Sequence, residues 1–146
     1  MHQYKYALDL LNKFRMKDCK ASKTPFLLGV KLEEADSSPM VNNTLYRQLI
    51  RCLLYLTHTR PDICYAVSVA SIFMDQPQEI HWKAAKRILN FVQGTRTHGN
   101  FYKAKSDLDL IGFTDSDWEG DSTDRNSTSG YVFMLAEGPI IWSSKK

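Results

Sequence analysis

The chain has 146 residues, enough for one ordinary domain, of which 43% are apolar and 24% charged. That balance excludes a disordered tail, a collagen-like fibre and a coiled coil, and no run approaches the ~18 apolar residues of a membrane helix. The net charge of +3 is unevenly laid out: His81–Lys105 holds six Lys or Arg and no acid, and Ser106–Asp124 holds seven acids and no base. Such a layout suits anion binding beside cation binding.

The first twenty residues are broken throughout by charges and offer no apolar stretch of ~7–15 residues, so they do not read as a secretory signal. Tyr4, Ala7, Leu8, Leu11 and Phe14 repeat at helical spacing. That helix must stop in the loop-forming stretch Asp18–Pro25, and residues 25–43 read as an extended connector. A second helix is predicted over 44–58, with Leu45, Leu49, Leu53 and Leu56 on one stripe. Thr59-Arg60-Pro61-Asp62 has the form of a capping box, Thr59 accepting from the backbone ahead and Asp62 reaching back. It opens a third helix over 60–74 that buries Ile63, Val67, Ala70 and Phe73. Asp75-Gln76-Pro77-Gln78 repeats the punctuation and opens a fourth, running to about Val92. Its apolar stripe is Ile80, Ala84, Ile88 and Val92, with Lys83, Lys86 and Arg87 on the other face and Gly94 as a left-handed terminator.

After Gly99 the period changes from 3.6 to 2. Strands are predicted over 100–104, 108–115, 127–135 and 139–144, the last two joined by a turn at Glu137-Gly138. About four helices followed by an antiparallel β-meander make an α+β fold. The sheet would end at Lys146 with an uncovered edge, which natural sheets usually avoid, so the ending has the look of a cut.

Cys19, Cys52 and Cys64 are an odd count without paired spacing and fit reduced thiols in a reducing compartment, Cys52 and Cys64 in helical cores. The four histidines have no zinc-ligand spacing. Asp115 and Asp117, two apart at a strand end, share a face, and carboxylates so close favour a divalent cation. Residues 115–126 also match part of an EF-hand loop, with Gly120 at its sixth position. Asn126 replaces the bidentate Glu and Ser122 the apolar residue, and a strand precedes the loop, so this reading is set aside.

Several blocks in order resemble the polyprotein of copia-type retrotransposons: YALDLLNKFRMKDCKASKTP (6–25), YRQLIRCLLYLTHTRPDICYAVSVASIFM (46–74), HWKAAKRILNFVQGT (81–95), GFTDSDWEGDSTDRNSTSGYVFML (112–135) and PIIWSSKK (139–146). The resemblance implies that residues 1–97 are a helical region like the thumb and connection of reverse transcriptase. Residues 98–146 would then be the first half of a ribonuclease H sheet. It assigns Asp115 as the first carboxylate of a ribonuclease H site that uses two metal ions ~3.5–4 Å apart. The remaining ligands would follow Lys146 and the polymerase aspartates would precede Met1, and no Tyr-x-Asp-Asp occurs. The implied chain is therefore not an enzyme, Asp115 being vestigial. It requires no cofactor, and Asp115 and Asp117 would hold Mg²⁺ only weakly. Three positions depart from the family pattern: Arg51 for Gly, Glu119 for Ala and Asn126 for Arg. Of these, Arg51 would disturb a close helix contact unless its side chain reaches solvent.

The basic run Lys83, Lys86, Arg87, Arg96, Lys103 and Lys105, with Trp82, Phe91 and Tyr102 interleaved, suits weak, non-specific binding of a nucleic-acid backbone in the cytoplasm or nucleus. Trp82 and Phe91 fit the core better than a stacking platform, and no membrane partner is expected. An alternative function is that of a secreted effector of plant-infecting oomycetes, acting on a host protein. Arg47-Gln48-Leu49-Ile50 resembles the Arg-x-Leu-Arg motif of that class, departing at the last position, and Glu33-Glu34 lies upstream of where its acidic partner should follow. The pattern fixes no oligomeric state.

Overall fold

A computed structural model describes residues 1–27, 32, 38–104, 109–117 and 128–145, excepting the side chains of 116, 117, 128 and 145. Helix α1 (Tyr4–Lys13) buries Ala7, Leu10 and Leu11. This face is rotated slightly from the expected one, leaving Tyr4 exposed. The helix ends in a Schellman turn, with the Met16 N–H donating to the Leu11 carbonyl at 2.8 Å and the Arg15 N–H to that of Asn12 at 3.0 Å. Helix α2 (Asn43–Leu56) starts where the Asn42 side chain accepts from the Leu45 N–H at 3.0 Å. It buries Tyr46, Leu49, Ile50, Leu53 and Leu56, whereas Leu45 stays exposed. Arg51 is exposed on α2, so its long side chain displaces nothing.

The predicted third helix is broken at both ends. Pro61–Ile63 forms a 3₁₀ turn, and α3 proper is Cys64–Ser71. The N–H groups of Ile72, Phe73 and Met74 bond three residues back instead of four, which tightens the chain there. Phe73 is consequently half-buried and stacks on His81, ring centroids 4.0 Å apart.

Helix α4 (Glu79–Gly94) begins at Gln78, whose N–H donates to His81 Nδ1 at 2.9 Å. Its buried face is His81, Ala85, Ile88, Leu89 and Val92, with Ile80 and Ala84 only half-buried. Gly94 is the last helical residue and not a left-handed terminator. Its small size serves proximity, since a Cβ there would lie 2.8 Å from that of Ala21. One core joins the four helices, with Tyr6, Phe14, Met16, Phe26, Trp82 and Phe91 packed against its margin.

Three strands follow: β1 (Ile111–Asp117), β2 (Thr128–Leu135) and β3 (Gly138–Lys145), antiparallel in the order β1-β2-β3. Phe113, Val132 and Trp142 face one another across the sheet. Gly112 is opposite Phe133 and makes room for its ring, which would sit 2.8 Å from a Cβ. The predicted strand over 100–104 does not form. Its backbone is held otherwise: the Asn100 N–H bonds to the Met1 carbonyl and the Lys103 N–H to that of Ala136. It crosses the β2–β3 hairpin at Gly138, where a Cβ would come within 2.5 Å of the Phe101 carbonyl oxygen. The hairpin turn lies at Ala136–Glu137, one residue earlier than expected, with φ of 51° and 62°. The sheet docks through β3 on α3, and Trp142 Nε1–H donates to the Thr57 carbonyl at 3.0 Å. The fold is α+β. Among the described residues no helix is long and apolar enough to cross a membrane.

Candidate nucleic-acid interface and acidic strand

Helix α4 turns Ala85, Ile88, Leu89 and Val92 inward, which leaves the helical positions of Lys83 and Lys86 outside. The Lys83 side chain is 72% exposed, with Nζ 3.9 Å from Glu79 Oε1 one turn back. Lys86 Nζ sits 5.4 Å from the ring centroid of Trp82, a cation–π contact that holds the ammonium at the surface. Arg87 has a different task. Its Nη2 donates to Thr24 Oγ1 at 2.9 Å, which ties the segment before Pro25 to α4. Arg96 is half-buried in the turn after the helix. Lys103 Nζ lies 2.9 Å from Glu137 Oε1 at the β2–β3 turn. Lys105 lies outside the described residues. Three of the six expected cations thus share one helix, and two of those project from it. Trp82 and Phe91 pack against the core margin, and Tyr102 donates its hydroxyl proton to the Pro139 carbonyl at 2.7 Å.

Asp115 is exposed on β1 opposite Gly130, and the backbone of Asp117 pairs with Thr128. Their two-residue spacing places both positions on one face of the strand. Asp115 borders a shallow depression of about 280 Å³ with Pro61, Cys64, Phe113, Tyr131 and Trp142. A carboxylate so placed meets an aromatic wall, and the Asp117 side chain lies outside the described residues. Among the described residues no three His, Cys, Asp or Glu side chains gather as a metal site. One carboxylate alone is a weak ligand for a hydrated Mg²⁺. The EF-hand alternative lies largely in 118–127, outside the described residues, as do Glu119, Asn126 and Glu33-Glu34.

The Thr59–Asp62 motif builds something that its sequence form conceals. No side chain caps the turn at Arg60. Asp62 instead takes a two-pronged ion pair from Arg60, Nε to Oδ1 at 2.8 Å and Nη2 to Oδ2 at 2.7 Å. The Arg60 guanidinium is 3% exposed and also donates to the Thr95 carbonyl at 3.0 Å and to Thr95 Oγ1 at 2.7 Å. It lies 5.7 Å from the Phe91 ring. Arg60 thereby fastens the start of the 3₁₀ turn to the end of α4. An arginine between an apolar stripe and a proline carried no sequence signal of burial. The Arg-x-Asp spacing, with proline fixing the turn between, was the available clue.

The three cysteines are free and half-buried; Cys52 on α2 packs against the helical core as expected, and Cys64 opens α3. Burial pushes the Cys64 and Cys19 thiols up from their ordinary value. Arg47-Gln48-Leu49-Ile50 lies within α2, where Leu49 is fully buried and Arg47 Nη2 meets Asp75 Oδ1 at 3.1 Å.

No family model matches the chain, and no solved structure matches it. Over all 146 residues it is 43% identical to the retrovirus-related Pol polyprotein of transposon RE1 and 41% identical to that of transposon RE2, both from Arabidopsis thaliana. The chain spans about a tenth of the length of each. It is also 41% identical over 107 residues to a secreted RxLR effector protein of Plasmopara viticola, covering 73% of this chain and 75% of that one. The whole-chain likeness to the transposon proteins takes in every helix and strand described above, and the chain belongs to the copia-type retrotransposon Pol polyprotein family.

Proposed function

We propose that these 146 residues are a non-catalytic piece of a copia-type polyprotein that holds nucleic acid weakly through its phosphates. In this reading residues 1–97 correspond to the thumb and connection of the polymerase, and 98–146 to the opening of ribonuclease H. The observation that carries the binding half is the outward pair Lys83 and Lys86 on a helix packed firmly from behind. Clustered exposed cations on a rigid support neutralise phosphates and release counterions without reading bases. Supporting the non-catalytic half, Asp115 is an exposed carboxylate, and among the described residues no three His, Cys, Asp or Glu side chains gather as a metal site. A two-metal hydrolysis needs several carboxylates. Cytoplasm or nucleus is where such an activity would be used.

Binding of an RNA–DNA hybrid measured against salt concentration tests the first half. With at most six cations engaged, the log–log slope should not exceed about −5. Replacing Lys83 and Lys86 by alanine should shrink it by about 2. A salt-independent isotherm, or preference for one short sequence, would defeat the mechanism. Incubating the hybrid with the protein and Mg²⁺ or Mn²⁺ tests the second half. Cleavage that vanishes in Asp115→Asn overturns it.

A second reading, a secreted effector acting on a host protein, is favoured by one observation, the 41% identity over 107 residues to the Plasmopara viticola protein. The Arg47–Ile50 tetrapeptide adds nothing to it, because Leu49 serves the core and Arg47 holds Asp75. Export of the full reading frame from expressing cells separates the two. Retention inside the cell eliminates the effector reading.

A further inference from the structure

Between α1 and Pro25 the chain lies along α4 and is fastened to it at four places. The Gln93 side-chain amide donates to the Lys17 carbonyl at 3.0 Å, and the Ser22 N–H donates to the Asn90 carbonyl at 3.2 Å. Arg87 Nη2 donates to Thr24 Oγ1 at 2.9 Å, and Gly94 admits the Ala21 methyl where a Cβ would lie 2.8 Å from it. Positions 87, 90 and 94 form one stripe of α4, and Lys83 continues it one turn toward the start of the helix. The core packs α4 from behind, so the segment has a rigid mount.

This mount carries charge. Residues 13–24 include Lys13, Arg15, Lys17, Lys20 and Lys23 against one acid, Asp18, and all six are exposed. Lys13 turns its ammonium toward the Phe14 ring and Cys52 Sγ, and Arg15 precedes the fastened part. Lys17, Lys20 and Lys23 remain, each at or next to a residue that touches α4. Among the described residues no carboxylate pairs with them. From Lys83 to Gly94 the helix rises ~16 Å at ~1.5 Å per residue, about the axial length of five nucleotides of one strand. No large apolar side chain is exposed between Tyr4 and Leu27, so this face lacks the anchors that a protein partner needs. We propose that Lys17, Lys20 and Lys23 continue the row begun by Lys83 and Lys86 and hold successive phosphates of one nucleic-acid strand along α4. The charge of this row lies mostly before Pro25 and not after Gly94, where Lys103 pairs with Glu137. The proposal rests on the reading that the chain binds nucleic acid, and adds to it three contact residues and a direction.

The test is binding of a short labelled RNA–DNA hybrid across a salt series, followed by fluorescence anisotropy. Five cations give a log–log slope of about −4.5 in the parent chain. Replacing Lys17, Lys20 and Lys23 together by glutamine should shrink that slope by about 3, and replacing them by arginine should keep it. The three side chains are exposed, so the melting temperature should not change. A clear fall in the glutamine variant overturns the proposal by giving these lysines a structural role. Loss of slope in both variants also overturns it, because the mount and not the charge has then changed. A parental slope in the glutamine variant, beside a loss in Lys83→Ala with Lys86→Ala, overturns the row and leaves the wider nucleic-acid reading standing. A parent that does not bind the hybrid overturns both. Polyglutamate that displaces the hybrid at equal charge concentration overturns the row as a phosphate site, since the face then answers equally to acidic protein.

Discussion

Arg15 sits at φ 56° as the residue that closes the Schellman turn after α1. Side chains other than glycine pay ~1–2 kcal/mol for left-handed backbone. Arg15→Gly should therefore stabilise the protein by ~0.5–1 kcal/mol, the larger freedom of glycine in the unfolded chain removing part of the gain. Ala136, at φ 51° in the hairpin turn, is a parallel case, and Ala136→Asn should raise the urea midpoint for the same reason. A fall in midpoint for both variants would show that the two turns are not strained. Arg60 is the opposite kind of residue. Arg60→Ala removes a buried ion pair, two bonds to Thr95 and a ring contact at once, and should cost about 3 kcal/mol in equilibrium unfolding. Arg60→Lys should recover little, because an ammonium cannot reproduce the two-pronged geometry. A loss under ~1 kcal/mol in Arg60→Ala would mean that water replaces the guanidinium.

At the scale of elements, the helices were legible because each has an apolar stripe thick enough to survive a small error of phase. In α2 the spacing found Leu49, Leu53 and Leu56 but chose Leu45 where Tyr46 is buried, since a leucine and a tyrosine at adjacent positions score alike. The ends were less legible. Thr59 and Asp62 have the letters of a cap, yet Arg60 competes for the carboxylate and wins through charge. The strand expected at 100–104 failed because alternation gives a strand a face but not a neighbour, and Met1 and Ala136 occupy its backbone. The bonds from Arg60 to Thr95 were invisible in sequence, as they join positions far apart in the chain. Tyr46 shows what a buried polar group does between elements: its hydroxyl donates to the Ala70 carbonyl at 2.7 Å and links α2 to α3. Tyr46→Phe should cost ~1 kcal/mol at neutral pH. Burial holds the Tyr46 and Tyr6 protons to a higher pH in the folded chain than the ordinary 10.0. The stabilisation is thus complete below about pH 10, where both states are protonated, and is lost as the pH rises above it, since the unfolded chain ionises first. The alkaline fall in melting temperature should be shallower in Tyr46→Phe. An equal slope in both proteins would assign the fall to other groups.

At the scale of the whole molecule, the helical body and the sheet differ in how they are held. The body closes around residues with almost no exposure, among them Leu49, Leu53, Ile63, Leu89 and Val92. The sheet leaves Ile111, Phe113 and Ile141 more than half exposed and rests on the helices through β3. Local stability follows burial, so the strands should open by smaller excursions than α2 and α4. Among the described residues, Trp142 is a polar tie between the two parts, through its indole N–H and the Thr57 carbonyl. Trp142→Phe keeps most of the apolar bulk and deletes that donor, which leaves the carbonyl at the end of α2 without this partner. The expected cost is ~1 kcal/mol, borne by docking and not by the core. In amide hydrogen exchange the strand amides should accelerate in Trp142→Phe, about fivefold for that free energy, while those of α2 and α4 keep the parent's rates. The separation of rates is the decisive quantity, because a loss spread equally over strands and helices would mean that body and sheet unfold as one cooperative unit. Unchanged strand exchange would mean that α3 packing alone holds the sheet and that the indole bond contributes nothing.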